Sequence, residues 1–219
     1  MKQLTFFFDP ISPYAALGFE ALPEALAGHS VEVTYRPILF AALLQALGQK
    51  GPAEIEVKRQ WTFRQVAWLA HSQGVVLAPP AQHPFNPLPL LRLAWACAAP
   101  EGQPGDPPGR WVVEQLFHHV WRGAGADAND ADRLAALTAK LAPLQDPASE
   151  AVKQRLRPET EAALALGVFG VPTVAFEGRL FWGQDALPML RAALAGDPWF
   201  RSGAWESAAQ PRPGVVRKH

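Results

Sequence analysis

Near the start of the chain a serine stands between an apolar run and an amphipathic stretch. Leu4 to Phe8 ends at Asp9-Pro10, and Ser12-Pro13-Tyr14-Ala15 leads into residues with helical spacing. Pro13 suits the first turn of a helix, where its missing N–H would be unpaired anyway, and this puts Ser12 at the N-cap. A serine there can simply cap. It can also do chemistry, because a helix N-terminus carries free N–H groups and partial positive charge that favour an anion such as a thiolate. Val171-Pro172, in GVFGVPTV, is the second candidate. A cis bond here would turn the Val171 N–H and C=O toward a ligand, and an extended, peptide-like molecule could pair with them as an added strand. An ordinary trans proline at a strand start is the alternative. Asp185, in FWGQDAL, can cap a last helix or meet a ligand ammonium. His118 and His119 project about 100° apart on a helix, so they read as core or interface residues rather than a joint metal site. Cys97, in LPLLRLAWACAA, reads as an inert core thiol. Phe7, Phe8, Trp61 and Phe169 can line a pocket for an aromatic substrate, and core packing explains most of them equally well.

Composition narrows the classes. The 219 residues are 49% hydrophobic and 18% charged, with 20 basic and 20 acidic side chains. No net basic field exists to draw nucleic acid or an anionic membrane surface. No apolar run approaches the roughly 20 residues of a membrane span, and the N-terminal MKQLTFFFDP is too short in its apolar part for a secretory signal. A cytoplasmic protein is expected. The single cysteine excludes an internal disulfide, a cysteine-based zinc site and a dithiol redox motif. The 22 prolines cluster in 79–108 and 198–213, which are expected to be loops and a tail.

These residues need elements to position them. QLTFFF (3–8) reads as a buried strand, PYAALGFEALPEALA (13–27) as a helix kinked or divided at Pro23, and VEVTYRPIL (31–39) as a second strand. Segments 40–48, 53–74, 87–99, 110–123, 130–142 and 149–167 read as helices, with Asp130 an N-cap and Pro158 a helix break or start. VPTVAFEGRLFWG (171–183) reads as two short strands about a Glu177-Gly178 turn, followed by a last helix capped by Asp185. A β-α-β start, a β-β-α finish and helices between them make an α/β thioredoxin-like fold with a large all-α insertion. In that fold Ser12 and Ala15 stand in the two places of a Cys-x-x-Cys pair. A serine forms no disulfide, but it can donate a hydrogen bond to a thiolate that a cofactor brings in.

DPISPYAALGFEAL, GVFGVPTV and FWGQDAL closely resemble the kappa-class glutathione transferases, and resemble still more the bacterial 2-hydroxychromene-2-carboxylate isomerases of the same DsbA-like thioredoxin superfamily. RPILFAALLQALGQKGPAEIEVKRQW and FNPLPLLRLAW match further blocks, so the resemblance runs from about residue 4 to 195. It implies a glutathione-binding domain of residues 1–39 and 168–200, a helical insertion of 40–167 and a tail of 201–219. It also implies glutathione as cofactor, with Ser12 facing the sulfur beside Pro13 and Tyr14, and with Val171 and cis Pro172 on the cysteinyl part. By the same resemblance Gln184 and Asp185 would hold the γ-glutamyl end, and Lys58 would meet a carboxylate of glutathione or substrate, its alternative being a solvated helix face. Gln49 stands where the family has asparagine, one methylene longer, and Gly51 replaces a proline. The implied reaction interconverts 2-hydroxychromene-2-carboxylate and trans-o-hydroxybenzylidenepyruvate in naphthalene-type catabolism, carried out by a homodimer. A glutathione transferase acting on another electrophile and a non-catalytic thioredoxin-like binding protein are the rival expectations.

Overall fold

The computed structural model describes residues 1–100, 107–210 and 214. Residues 101–106, 211–213 and 215–219, which fall in the expected proline-rich loop and tail, lie outside that description. The chain opens with β1 (Lys2–Phe8), α1 (Pro13–Leu26) and β2 (Val31–Pro37). Helices α2 (Phe40–Ala46), α3 (Glu56–Ser72), α4 (Leu88–Ala96), α5 (Arg110–Trp121), α6 (Ala131–Leu141) and α7 (Glu150–Ala165) follow. The chain then returns through β3 (Thr173–Phe176), β4 (Arg179–Trp182), α8 (Leu187–Ala195) and a short α9 (Ala204–Ala208). The sheet order is β2-β1-β3-β4, with β2 parallel to β1, and with β3 antiparallel to both β1 and β4. This is the α/β thioredoxin-like arrangement with helices inserted between β2 and β3.

β1 is a central strand whose C-terminal end is buried on both faces, which is why Phe6, Phe7 and Phe8 follow one another without a polar residue. Phe6 and Phe8 join Phe19 of α1, Val174, Phe181 and Leu190 of α8 in the main core. Phe7, one residue out of phase, packs on the opposite face with Leu43 of α2 and Ala163 of α7. The β3–β4 turn is made by Glu177 and Gly178 with φ of 47° and 73°, the left-handed pair that a two-residue hairpin needs.

Three local expectations are corrected. Pro23 lies inside one continuous α1, and Pro158 inside one continuous α7, rather than dividing or starting helices. In each helix buried residues flank the proline on both sides: Leu22 and Ala25 in α1, Leu156 and Thr160 in α7. That packing outweighs one lost backbone bond. Asp185 does not cap the last helix. It sits in a 3₁₀ turn, Gln184–Ala186, and α8 starts at Leu187 with no side-chain cap. Pro188 in the first turn of α8 already removes one of the donors that a cap would serve.

Candidate functional site

The site is built where β1 ends and α1 begins. Ser12 is the N-cap of α1, in extended backbone geometry, and its hydroxyl accepts the Ala15 N–H at 3.2 Å. The same hydroxyl donates to the Val171 C=O at 3.3 Å. That is long for an O–H···O bond, whose usual distance is about 2.7–2.8 Å, so another acceptor at the helix end can compete for the proton. Pro13 fills the first helical position as expected.

Val171 and Pro172 come across from the far end of the chain, joined by a cis peptide bond. Val171 is buried, and its N–H has no hydrogen-bond partner among the described residues. A backbone donor left without a protein partner can serve a ligand's acceptor. The Pro172 C=O accepts the Gly183 N–H at 2.9 Å, which ties this loop to the end of β4. Gly18 of α1 closes the packing, since a Cβ there would lie 3.1 Å from Pro172 Cγ and 3.6 Å from Gln184 Cβ. Ser12, Val171, Pro172 and Gln184 therefore gather around the first turns of α1.

Tyr14 is half-buried, and its phenol donates to Gln65 Oε1 of α3 at 2.7 Å. Burial raises the phenol pKa, a bond from Thr62 lowers it, and the charge of Asp185 adds to the rise. Asp185 is thus close enough to Tyr14 to act on it, and is solvent-exposed. Gln184 accepts a bond from Gln73 Nε2 at 3.2 Å. Lys58 is exposed on α3 and lies four and seven residues before Thr62 and Gln65, on the helix face that meets Tyr14. Gln49 is exposed beyond α2, its backbone N–H bonded to the Leu44 C=O at 2.8 Å, and no side-chain contact joins it to Ser12.

The other singled-out residues divide. His119 bonds the Ala128 C=O at 2.9 Å and His118 meets Glu20 at 3.3 Å, so both are structural. Among the described residues no cluster could hold a metal ion. Burial pushes the Cys97 thiol up to about 11, which leaves it unreactive. Phe7 and Phe8 are core residues. Trp61 and Phe169 are exposed, and core packing does not account for them.

Sequence reasoning missed the residues that hold the Ser12 loop in place. Asp9 is fully buried, and its two carboxylate oxygens accept the Ile11 and Phe40 N–H groups at 3.0 Å each. One carboxyl thus fastens the loop before Ser12 to the start of α2. Burial pushes that carboxyl up to about 7, against the pull of the two backbone bonds. His83, next to a cis Pro84, bonds the Ile11 C=O at 2.8 Å. A carbonyl only accepts, so Nε2 carries the proton of this bond, and burial lowers the pKa of the imidazole. Trp121 Nε1 donates to the Pro10 C=O at 2.9 Å. The one available signal was an acidic residue at the end of an apolar strand, which reads equally as the start of a turn.

Comparison with known proteins agrees with this architecture. A curated 2-hydroxychromene-2-carboxylate isomerase of Sphingobium xenophagum is 28% identical over 200 residues, which cover 88% of this chain and 98% of that protein. Glutathione S-transferase kappa 1 of Rattus norvegicus is 26% identical over 217 residues, 90% of this chain and 92% of its own. A solved 2-hydroxychromene-2-carboxylate isomerase superposes with a TM-score of 0.74 at 24% identity, covering 92% of this chain and 98% of that one, and so shares the fold. The family description "DSBA-like thioredoxin domain" matches residues 3–195. With a sheet, a cis-proline loop and a helix N-terminus arranged as above, the chain belongs to the DsbA-like thioredoxin family.

Proposed function

We propose that the protein is a glutathione-dependent isomerase that interconverts 2-hydroxychromene-2-carboxylate and trans-o-hydroxybenzylidenepyruvate. The observation that carries this reading is a loosely held Ser12 hydroxyl at the N-terminus of α1, beside a buried Val171 whose N–H has no partner among the described residues. A thiol tripeptide fits that pair: its backbone supplies an acceptor for the Val171 N–H, and its sulfur supplies an acceptor for the Ser12 proton. When bound, glutathione would supply the thiolate whose reversible addition to the substrate's conjugated double bond allows rotation about it.

The chain's own residues have separable tasks. A free thiol of pKa about 8.5 is mostly protonated at neutral pH. Ser12 favours the thiolate by one hydrogen bond to charge, worth roughly 1.5–3 kcal/mol or about one to two pKa units, and the N–H groups of the first α1 turn add to it. Val171 and Pro172 orient the cysteinyl part, with Pro13 and Tyr14 flanking the sulfur. Asp185, exposed beside Gln184, would take the γ-glutamyl ammonium. Lys58 and Gln49 would meet the carboxylates at the other end. A cytoplasmic homodimer working in naphthalene-type catabolism completes the proposal, supported by the family resemblance.

The test is a spectrophotometric assay of the chromene carboxylate with and without glutathione. Isomerisation that needs glutathione is expected; turnover independent of it would overturn the cofactor assignment. The kappa transferase relative favours a second reading, a transferase acting on another electrophile. Conjugation of an aryl halide without isomerase activity would select it. Glutathione binding without either activity would leave a non-catalytic binding protein.

A further inference from the structure

A cleft of about 520 Å³ opens between α2, α4 and α7, and none of the residues gathered around Ser12 lines it. Its floor is aliphatic, formed in large part by Leu39, Leu43, Leu156 and Leu164, and no aromatic ring lines it. Its polar edge is dominated by cations: Arg92, Lys153 and Arg157 outnumber the one acid, Glu161. Two of those cations are already engaged along α7, Lys153 with Glu150 and Arg157 with Glu161, at 2.8 Å each. Arg92 has no hydrogen-bond or ion-pair partner among the described residues, although its field helps hold the Glu150 carboxyl below its ordinary pKa. An apolar trough ending at a guanidinium that forms no hydrogen bond or ion pair among the described residues suits a molecule with an aliphatic tail and an anionic head.

We propose that this cleft binds an amphipathic acyl carboxylate, its aliphatic tail on the leucine floor and its carboxylate on Arg92. The volume lies within the roughly 300–1,000 Å³ of small-molecule sites. A floor of branched aliphatic side chains suits a flexible chain, whereas flat rings are better held by aromatic walls. The planar guanidinium takes a carboxylate through two parallel bonds. The cleft also has a physical link to the Ser12 loop. The Leu39 N–H is held by Thr160 of α7 at 3.1 Å, and the next N–H, of Phe40, is held by Asp9 at 3.0 Å. An occupant pressing on the start of α2 therefore pushes on the segment that Asp9 joins to Ile11. The proposal stands apart from the glutathione reading, because no residue is shared between the two sets.

The experiment is isothermal titration of the full-length protein with decanoate and with decanol as its uncharged counterpart. Decanoate is expected to bind at least about tenfold more tightly than decanol, and Arg92→Ala to remove about that factor, while Arg92→Lys retains part of it. Ala46→Trp, a change at an exposed position on the cleft wall, is expected to abolish binding without unfolding the protein. Saturating glutathione should leave decanoate bound, shifting its affinity by at most a fixed, saturable factor through the Asp9 link rather than in proportion to the glutathione added. Absence of binding, or equal affinity in wild type, Arg92→Ala and Ala46→Trp, would overturn the proposal. So would competition by glutathione, which would put the acid at the Ser12 site. A dimer that Ala46→Trp dissociates in sedimentation velocity would also overturn it, because a second copy would then cover the cleft.

Discussion

Ser12 serves the fold and the proposed chemistry with one hydroxyl, and a mutation must separate the two. As a cap it contributes about 1 kcal/mol of stability. As a donor to a bound thiolate it would shift the thiol pKa by about one to two units. Ser12→Ala is expected to lose both and Ser12→Thr to keep both. An ultraviolet titration of bound glutathione reads the second effect independently of the first, and an unchanged titration in Ser12→Ala would end the assignment. Asp9 gives a prediction of a different kind. Its carboxyl titrates near 7 in the folded chain against an ordinary value of 3.8. Between those values the folded state holds a proton that the unfolded state has released, so stability falls as pH rises from about 4 to about 7. The slope contributed by this one group approaches 1.4 kcal/mol per pH unit. Asp9→Asn cannot ionise and is expected to flatten the profile over that window. Parallel urea-denaturation profiles for mutant and wild type would count against a buried, titrating Asp9. Ser12-Pro13 and Val171-Pro172 were legible in the sequence because their meaning is local: a cap, a proline and a strand start announce themselves within a few residues. Asp9 and His83 were not, because the bonds that define them reach 31 and 72 residues along the chain.

At the scale of elements, α1 matters most, since it presents Ser12 at one end and packs on the cis-proline loop along its side. Gly18 permits that approach. It costs a helix interior about 1 kcal/mol relative to alanine, and in return the Pro172 ring sits 3.1 Å from where a Cβ would be. Gly18→Val adds a branched side chain against that ring and Gln184. We expect it to destabilise the protein by about 1–3 kcal/mol and to weaken glutathione binding by displacing the loop that carries Val171. Stability loss with full glutathione affinity in the folded fraction would show that the loop does not depend on this contact. The elements themselves followed from apolar periodicity, and most boundaries agree within about two residues. The errors share one cause. Pro23 and Pro158 are strong local breakers, but α1 and α7 are long helices with buried faces on both sides of the proline. Tertiary packing of this kind is invisible to a rule that looks only at neighbouring residues. Asp185 failed as a cap for the complementary reason: a turn through Gly183, at φ 89°, moved the helix start past it.

Across the whole molecule, the β3–β4 hairpin joins two regions with different duties. Its open end carries Pro172, Thr173 and Trp182, next to the candidate site. Its turn end carries Phe176 and Arg179, three residues or about 10 Å away along the strand. The described part of the C-terminal segment packs at that distant side of the sheet. Phe200 is buried against Phe181 and Trp205, with ring centroids 6.1 and 5.7 Å apart, and its C=O accepts from Arg179 Nη2 at 2.7 Å. This strap covers the edge of a small sheet that would otherwise expose aromatic core. Stability and ligand affinity should therefore separate here. Phe200→Ala deletes a buried ring, a change that typically costs about 3–5 kcal/mol. For a chain of this length, each kcal/mol corresponds to about 2–4 °C, so the melting temperature should fall by about 10 °C. Glutathione affinity, measured by calorimetry well below that melting temperature, should change by less than about twofold. A loss of affinity as large as the loss of stability would mean that strap and site form one cooperative unit rather than two ends of one hairpin.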